Sequence, residues 1–374
     1  MTLRTALCER LGIEHPVVQS GMGGVAGPDL VAEVCRAGGL GILAGLNVPP
    51  EDLRRSIRRV RELTDRPFGV NLWLHPALRP PLDPAAIPEA DLRSAQRQLD
   101  VFRARLGVAP NAARPPAQPD LVGAGFRVIL EERVPVWSIG LGCPEPDMVR
   151  ACHERGIAVM AMVATVEDAR EVADAGVDVV VAQGGEAGGH RSVWEWRGVE
   201  AASIGTMALI PQVVDAVRVP VVAAGGIADG RGFAAALALG AAGVLLGTRF
   251  VATRESTAPE FWKKRLLEIE AGATAVTDVF TGLHARAVAN TFAREYEASG
   301  AAVLPPLLQR SAAHDVYAAT AKQGDGEYYP MWAGQSVGLV RDLPGAGEVV
   351  TSIVREAAAV IESLPGRRPA GART

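Results

Sequence analysis

Val177-Asp178-Val179-Val180-Val181-Ala182-Gln183 runs directly into Gly184-Gly185-Glu186-Ala187-Gly188-Gly189-His190-Arg191. The first part is short, apolar and β-branched, and it fits a strand buried on both faces, as in a parallel sheet covered by helices. The second part places four glycines within six residues. Such a loop can adopt positive φ and let a flat ligand approach its main chain, while Gln183, Glu186 and His190 supply its only reactive side chains. A buried strand that empties into this loop makes a poor core and a good site.

Working outward, the helical pattern over 166–175 ends at Gly176 just ahead of that strand, and the same order of Ala-rich helix, glycine and short apolar strand recurs. Residues 30–37 lead through Gly38-Gly39 to 40–43, residues 149–155 through Gly156 to 157–160, and residues 232–239 through Gly240 to 244–246. This alternation means βα units and a parallel sheet. Adding the apolar runs 17–19, 68–71, 134–138 and 219–223 brings the strands to eight. The expected fold class is therefore α/β, a closed (β/α)8 TIM barrel.

Two stretches depart from the repeat. Residues 75–118 are Pro-rich at both ends around a charged helical pattern over 89–105, and they read as a loop excursion within a barrel spanning 1–255. Past Thr248 the βα order stops, and helical patterns over 259–270, 285–300 and 305–323 predict a smaller, mostly helical inserted or C-terminal domain, a substrate cap over 256–330. Residues 331–365 form a return segment and a closing helix over 347–363, apolar at Val349, Val350, Ile353, Val354 and Ala357. The tail 366–374 is expected to be disordered.

The chain of 374 residues is 48% hydrophobic with a formal net charge of −4, so it has no basic field to hold nucleic acid or an anionic membrane surface. Cys8, Cys35, Cys143 and Cys152 include no Cys-x-x-Cys pair and no metal-ligand spacing with histidine, which points to no metal and to a reduced, cytoplasmic protein. Cys35 and Cys152 lie in helical patterns and read as small buried thiols. No apolar run approaches the ~20 residues that span a bilayer, and residues 1–12 lack the apolar core of a targeting signal.

In such a barrel the active site lies at the C-terminal ends of the strands, and the loops after the seventh and eighth commonly hold phosphate. Here those loops are Ala223-Ala224-Gly225-Gly226-Ile227 and Gly247-Thr248-Arg249. Gly225, Gly226 and Gly247 can aim backbone N–H groups at an anion, and Thr248 can add a hydroxyl. Met22 and Gly23 after the first strand offer a soft apolar surface beside exposed main chain, and Asn71 and Gln183 at two further strand ends can each donate and accept. A flat ring with polar edges plus a phosphate describes flavin mononucleotide (FMN). Among the six histidines, His190 alone sits in a glycine loop at the catalytic end; His153, His284 and His314 fall in helical patterns, His15 lies at the barrel bottom, and His75 stays open.

With these residues assembled, the chain resembles the nitronate monooxygenase family, formerly called 2-nitropropane dioxygenases. The resemblance rests on Gln19-Ser20-Gly21-Met22-Gly23-Gly24, Ala37-Gly38-Gly39-Leu40-Gly41, the loop Ala182 to Arg191, Ala223-Ala224-Gly225-Gly226-Ile227-Ala228-Asp229 and Trp332-Ala333-Gly334-Gln335-Ser336. It implies an FMN-dependent barrel that oxidises alkyl nitronates with O2 to a carbonyl compound and nitrite, and it leaves a homodimer open. Carried over by motif, His190 matches the family's catalytic histidine, a base on neutral nitroalkanes or an orienting group for the nitronate. Met22, Gly23, Asn71, Gln183, Gly188, Gly225, Gly226, Leu246, Gly247 and Thr248 match FMN contacts, with Gln335 assigned from the return segment. The chain departs from many relatives at Ser20-Gly21, where they carry a proline, and in the bulky run Ser192 to Arg197, whose Trp194 and Trp196 either remodel the substrate wall or cover the barrel rim.

Two other functions fit the same loops. One is a flavin-dependent NAD(P)H reductase of enoyl thioesters or quinones, and the other is a flavin-binding barrel without catalysis.

Overall fold

The computed structural model describes residues 3–364 apart from residue 77, so the tail expected at 366–374 lies outside the described residues. Eight strands close a parallel barrel: β1 (Val17–Gln19), β2 (Leu40–Ala44), β3 (Gly69–Leu72), β4 (Val136–Ile139), β5 (Ala158–Val163), β6 (Val179–Gln183), β8 (Val221–Ala224) and β9 (Gly243–Leu246), with β7 (Gly189–His190) lying outside it. Pairing of β1 with β9, Val18 opposite Leu245 and Gln19 opposite Leu246, completes the ring. The chain is a (β/α)8 barrel, and each strand begins within about two residues of the apolar run that announced it.

Side chains alternate along each strand, which divides the barrel core in two. Val18, Leu40, Ile42, Val136, Met160, Val179, Val181, Val222 and Leu245 fill the interior, and the N-terminal helix Ala6–Leu11 adds Leu7, Cys8 and Leu11 to that cluster. The opposite faces of the same strands, among them Val17, Val70, Leu72, Val180 and Val244, pack in a larger cluster with the surrounding helices. The helix Ala346–Ser363 lies against Gly230–Ala238 and Pro28–Arg36, so the end of the chain completes the helical ring between its last and first members.

A second core stands apart from the barrel. The helix Glu89–Leu106 contributes Leu92, Ala95, Leu99 and Phe102, and these pack with Phe280, Phe292, Tyr296, Val316 and Tyr317 from the far end of the sequence. Arg103, fully buried, ties the two stretches together: its Nε donates to the Asp315 carboxylate at 2.8 Å and one terminal nitrogen donates to the Ala312 carbonyl at 2.8 Å. The 75–118 and C-terminal stretches therefore share one core.

Residues 285–300, expected to be helical throughout, divide. Ala285–Val288 is strand β11, which pairs with β10 (Thr274–Thr277), and only Thr291–Ser299 is helix, begun by Asn290, whose side chain accepts from the Ala293 N–H. The alternation of Ala285 and Ala287, both buried, with the half-buried Arg286 is a period of two that the following helix masks. His284 accordingly sits in a loop and not on a helix. β7 joins the other edge of β11, with His190 opposite Ala285 and Gly189 opposite Arg286. The glycine loop is thus an edge strand of the second unit's sheet. No helix among the described residues is long and apolar enough to cross a membrane.

Candidate active site

A cavity of about 440 Å3 opens at the C-terminal ends of the barrel strands, a size that suits a cofactor or drug-sized ligand. Its wall includes Met22, Gly23, Asn71, Gln183, Gly188, His190, Gly225, Gly226, Leu246, Gly247 and Thr248. Residues from five strand ends therefore meet in one place. Gln335 does not join them. It is exposed, and its neighbours Gly334 and Ser336 line the cavity instead. The reason is local: the Gly334 N–H donates to Thr248 Oγ1 at 2.9 Å and the Gln335 N–H to the Glu186 carbonyl at 2.8 Å, which fixes the main chain inward and turns the Gln335 side chain out.

The loop after β6 is held from inside by Arg191. This guanidinium is 2% exposed and has no carboxylate at hydrogen-bond distance among the described residues; it donates instead to the carbonyls of Ala187 at 3.0 Å and Gly184 at 3.0 Å, and to the Gln183 side chain. Burial, helped by the nearby charge of Arg286, lowers it to about 9. Gln183 in turn donates to the His190 carbonyl at 2.9 Å and accepts from the Ser192 N–H at 2.9 Å. Both its hydrogen-bonding ends are thus engaged in shaping the loop. Glu186, one of the loop's reactive side chains, accepts from the Thr206 N–H and hydroxyl and so serves as a helix cap.

His190 stands between two indoles, with ring centroids 4.8 Å from Trp73 and 5.0 Å from Trp332. Its Nε2 lies 2.9 Å from Thr281 Oγ1, and that hydroxyl lies 3.1 Å from the Leu283 carbonyl, to which its single hydrogen is donated. The network assigns the imidazole proton to Nε2 and leaves Nδ1 as a lone pair. Burial, with smaller contributions from the charges of Arg310 and His75, lowers this imidazole from 6.5 to about 3. It is a neutral base near neutrality, and not a cation.

The shift makes folding pH-dependent. Between about 6.5 and 3 the unfolded chain holds a proton at His190 that the folded chain lacks, so stability falls as pH falls through that window, by at most about 1.4 kcal/mol per pH unit. His190→Asn is expected to flatten the dependence by that one proton, read from urea unfolding midpoints at several pH values. Equal slopes in both proteins would contradict a neutral, half-buried imidazole.

In the loop beside that of the histidine, Gly225 and Gly226 have φ of 102° and 72°. None of the backbone hydrogen bonds among the described residues uses their N–H groups, which leaves these donors for a ligand. Thr248 accepts from Gly334 and keeps its own hydroxyl hydrogen for the same use. Asn71, 6% exposed, donates to Ser138 Oγ at 3.1 Å and lines the wall between this cradle and Trp73. Polar donors and apolar walls gathered in one cavity suit a flat ring carrying a phosphate. Sequence reasoning missed Trp73, Thr281 and Arg310, which line the cavity, and gave Arg191 no role. Trp73 was within reach, two residues past Asn71; Thr281 and Arg310 arrive from the second unit and carry no local signal.

The model of the family described as nitronate monooxygenase matches residues 4–356. The chain belongs to this family. It is similar to the nitronate monooxygenase of Pseudomonas aeruginosa, with 39% identity over 92% of this chain and 97% of that one. Among solved structures it is similar to the nitroalkane oxidase from Streptomyces ansochromogenes, at 36% identity and a TM-score of 0.86 over 96% of this chain and all of that chain. FabK from Thermotoga maritima is 33% identical with a TM-score of 0.75, covering 97% of this chain and 99% of that one. For a nitronate monooxygenase family member the wall described here is the natural place to seek the chemistry.

Proposed function

We propose that the protein oxidises alkyl nitronates with O2 to a carbonyl compound and nitrite, with FMN held in the cavity at the barrel mouth. The observation that carries this reading is the placement of a neutral His190, flanked by Trp73 and Trp332, in one cavity with Gly225 and Gly226, whose N–H groups have no backbone acceptor among the described residues. Family membership supports it. The Gly225-Gly226 and Gly247-Thr248 loops would hold the phosphate, and Met22, Gly23, Asn71 and Gly188 would border the ring. When bound, FMN supplies the electron acceptor and the site of O2 reduction.

The chain's own residues do the rest. Trp73 and Trp332 exclude water and give the substrate an apolar wall, and Thr281 fixes the ring of His190 through Nε2. Nδ1 is then the atom that takes the α-proton when the substrate arrives as the neutral nitroalkane. A substrate that arrives as the nitronate has already lost that proton, and the site has only to position it.

Anaerobic mixing of the purified protein with ethyl nitronate, and separately with NADH and NADPH, tests the reading through the flavin absorbance. Reduction by nitronate alone, followed by nitrite release on admission of O2, is expected. Rapid reduction by a nicotinamide with no response to nitronate would move the assignment to a reductase, and a protein unable to take up FMN would overturn the cofactor.

A further inference from the structure

The helix Leu308–Ala312 begins from Leu307, whose φ of 62° places a non-glycine residue in the left-handed region. Surrounding bonds impose that conformation. The Leu307 N–H donates to the Thr281 carbonyl at 2.7 Å, and the fully buried Gln309 side chain accepts from the Leu304 N–H at 3.0 Å and donates to the Val279 carbonyl at 2.9 Å. Leu307 and Arg310, three residues apart and so on one face of the turn, both line the cavity. The residue that orients His190 through its hydroxyl thus also positions Arg310 through its carbonyl.

Other arginines near the site are committed to partners. Arg191 donates to loop carbonyls, Arg286 to the Gly185 carbonyl at 2.9 Å, and Arg249 to Asp342 at 2.6 Å. Arg310, exposed where it lines the cavity, has no side-chain hydrogen bond or ion pair among the described residues, and its positive charge acts to lower the pKa of His190. With the imidazole neutral, the positive charge that an anionic substrate calls for has to come from elsewhere in the wall. A planar guanidinium with free donors matches two oxygens on one atom.

We propose that Arg310 is the anion-recognition residue of this site: its guanidinium binds the charged oxygens of the nitronate and selects the anion, whether it enters preformed or is generated at His190. The inference rests on the nitronate reading given above, and it adds the residue that recognises the charge.

The test uses the purified FMN-loaded protein and two probes. Sodium nitrate, a planar monoanion that cannot react as a nitronate does, is titrated while the flavin spectrum is followed, and ethyl nitronate is used for steady-state kinetics. In Arg310→Met, nitrate affinity is expected to weaken and KM to rise by roughly ten- to a hundredfold, the scale of one lost charge-assisted hydrogen bond, with kcat changed by less than about threefold. Arg310→Lys is expected to restore most of the nitrate affinity. Unchanged nitrate binding and KM in Arg310→Met would overturn the inference. If the unaltered protein does not turn over nitronate but still binds nitrate through Arg310, the anion site stands and the substrate assignment is what fails.

Discussion

His190→Asn is expected to lower nitrite release from neutral nitroethane by about 10²- to 10⁴-fold, the usual contribution of a positioned general base, while turnover of preformed ethyl nitronate falls by less than about tenfold. The two substrates differ by the proton that Nδ1 is placed to take. The Asn amide stands where imidazole Nδ1 and Cδ2 were and stops short of Thr281 Oγ1, the partner of Nε2; the loop should retain its register all the same, because pairing with Ala285 and the Arg191 bonds to its carbonyls set it. The ratio of the two kcat/KM values therefore isolates proton transfer from damage to the wall. Equal losses on both substrates would show His190 to be an orienting group alone. Because burial holds the imidazole near 3, activity on the neutral substrate should show no loss from protonation of this group between about pH 5 and 8.

The second large effect is expected from Gly188→Ala. A Cβ at Gly188 would stand 2.5 Å from the Gly334 nitrogen and 2.6 Å from the Ala333 carbonyl carbon, and both are main-chain atoms that cannot rotate away. The return segment must then lift, which breaks the bonds from Gly334 to Thr248 and from Gln335 to Glu186. Overpacking costs about 1–3 kcal/mol and each lost hydrogen bond about 1 kcal/mol, so a destabilisation of roughly 3 kcal/mol or more is expected in chemical unfolding. Thr248 also loses the partner that aims its hydroxyl, and FMN retained after gel filtration should fall by about tenfold or more. A variant with native stability and full flavin content would mean that the segment is not seated as described.

The barrel was legible because its signals are local and repeated. Glycine after an Ala-rich helix and before a β-branched run, as at Gly176, needs no knowledge of the rest of the chain, and strands buried on both faces leave little doubt about their neighbours. The strand-end residues Asn71, Gln183 and Gly225 could be gathered for the same reason, since a closed parallel barrel sends all its strand ends to one face. Outside the repeat, local pattern failed in specific ways. The short strand Ala285–Val288 was absorbed into the helix after it, although Asn290 is a good N-cap and marks the true start. Gln335 was placed one residue out of register because nothing in Gly334-Gln335-Ser336 says which side chain faces inward; two main-chain bonds to distant partners decide it. Thr281 and Arg310 became visible only once two segments far apart in sequence were seen to share a core.

The pairing of β7 with β11 bears on how such a protein can exchange parts with its relatives. His190 belongs to the barrel by sequence, yet its main chain is registered on the second unit's sheet, and the Arg191 N–H donates to the His284 carbonyl at 2.8 Å. A chimaera that kept this barrel and took residues 256–330 from another member would replace the template on which the glycine loop is laid. Its specificity and its proton chemistry would change together. Residues 183–192 and 274–288 are therefore best regarded as one heritable cassette, and a graft intended to alter substrate range should carry both.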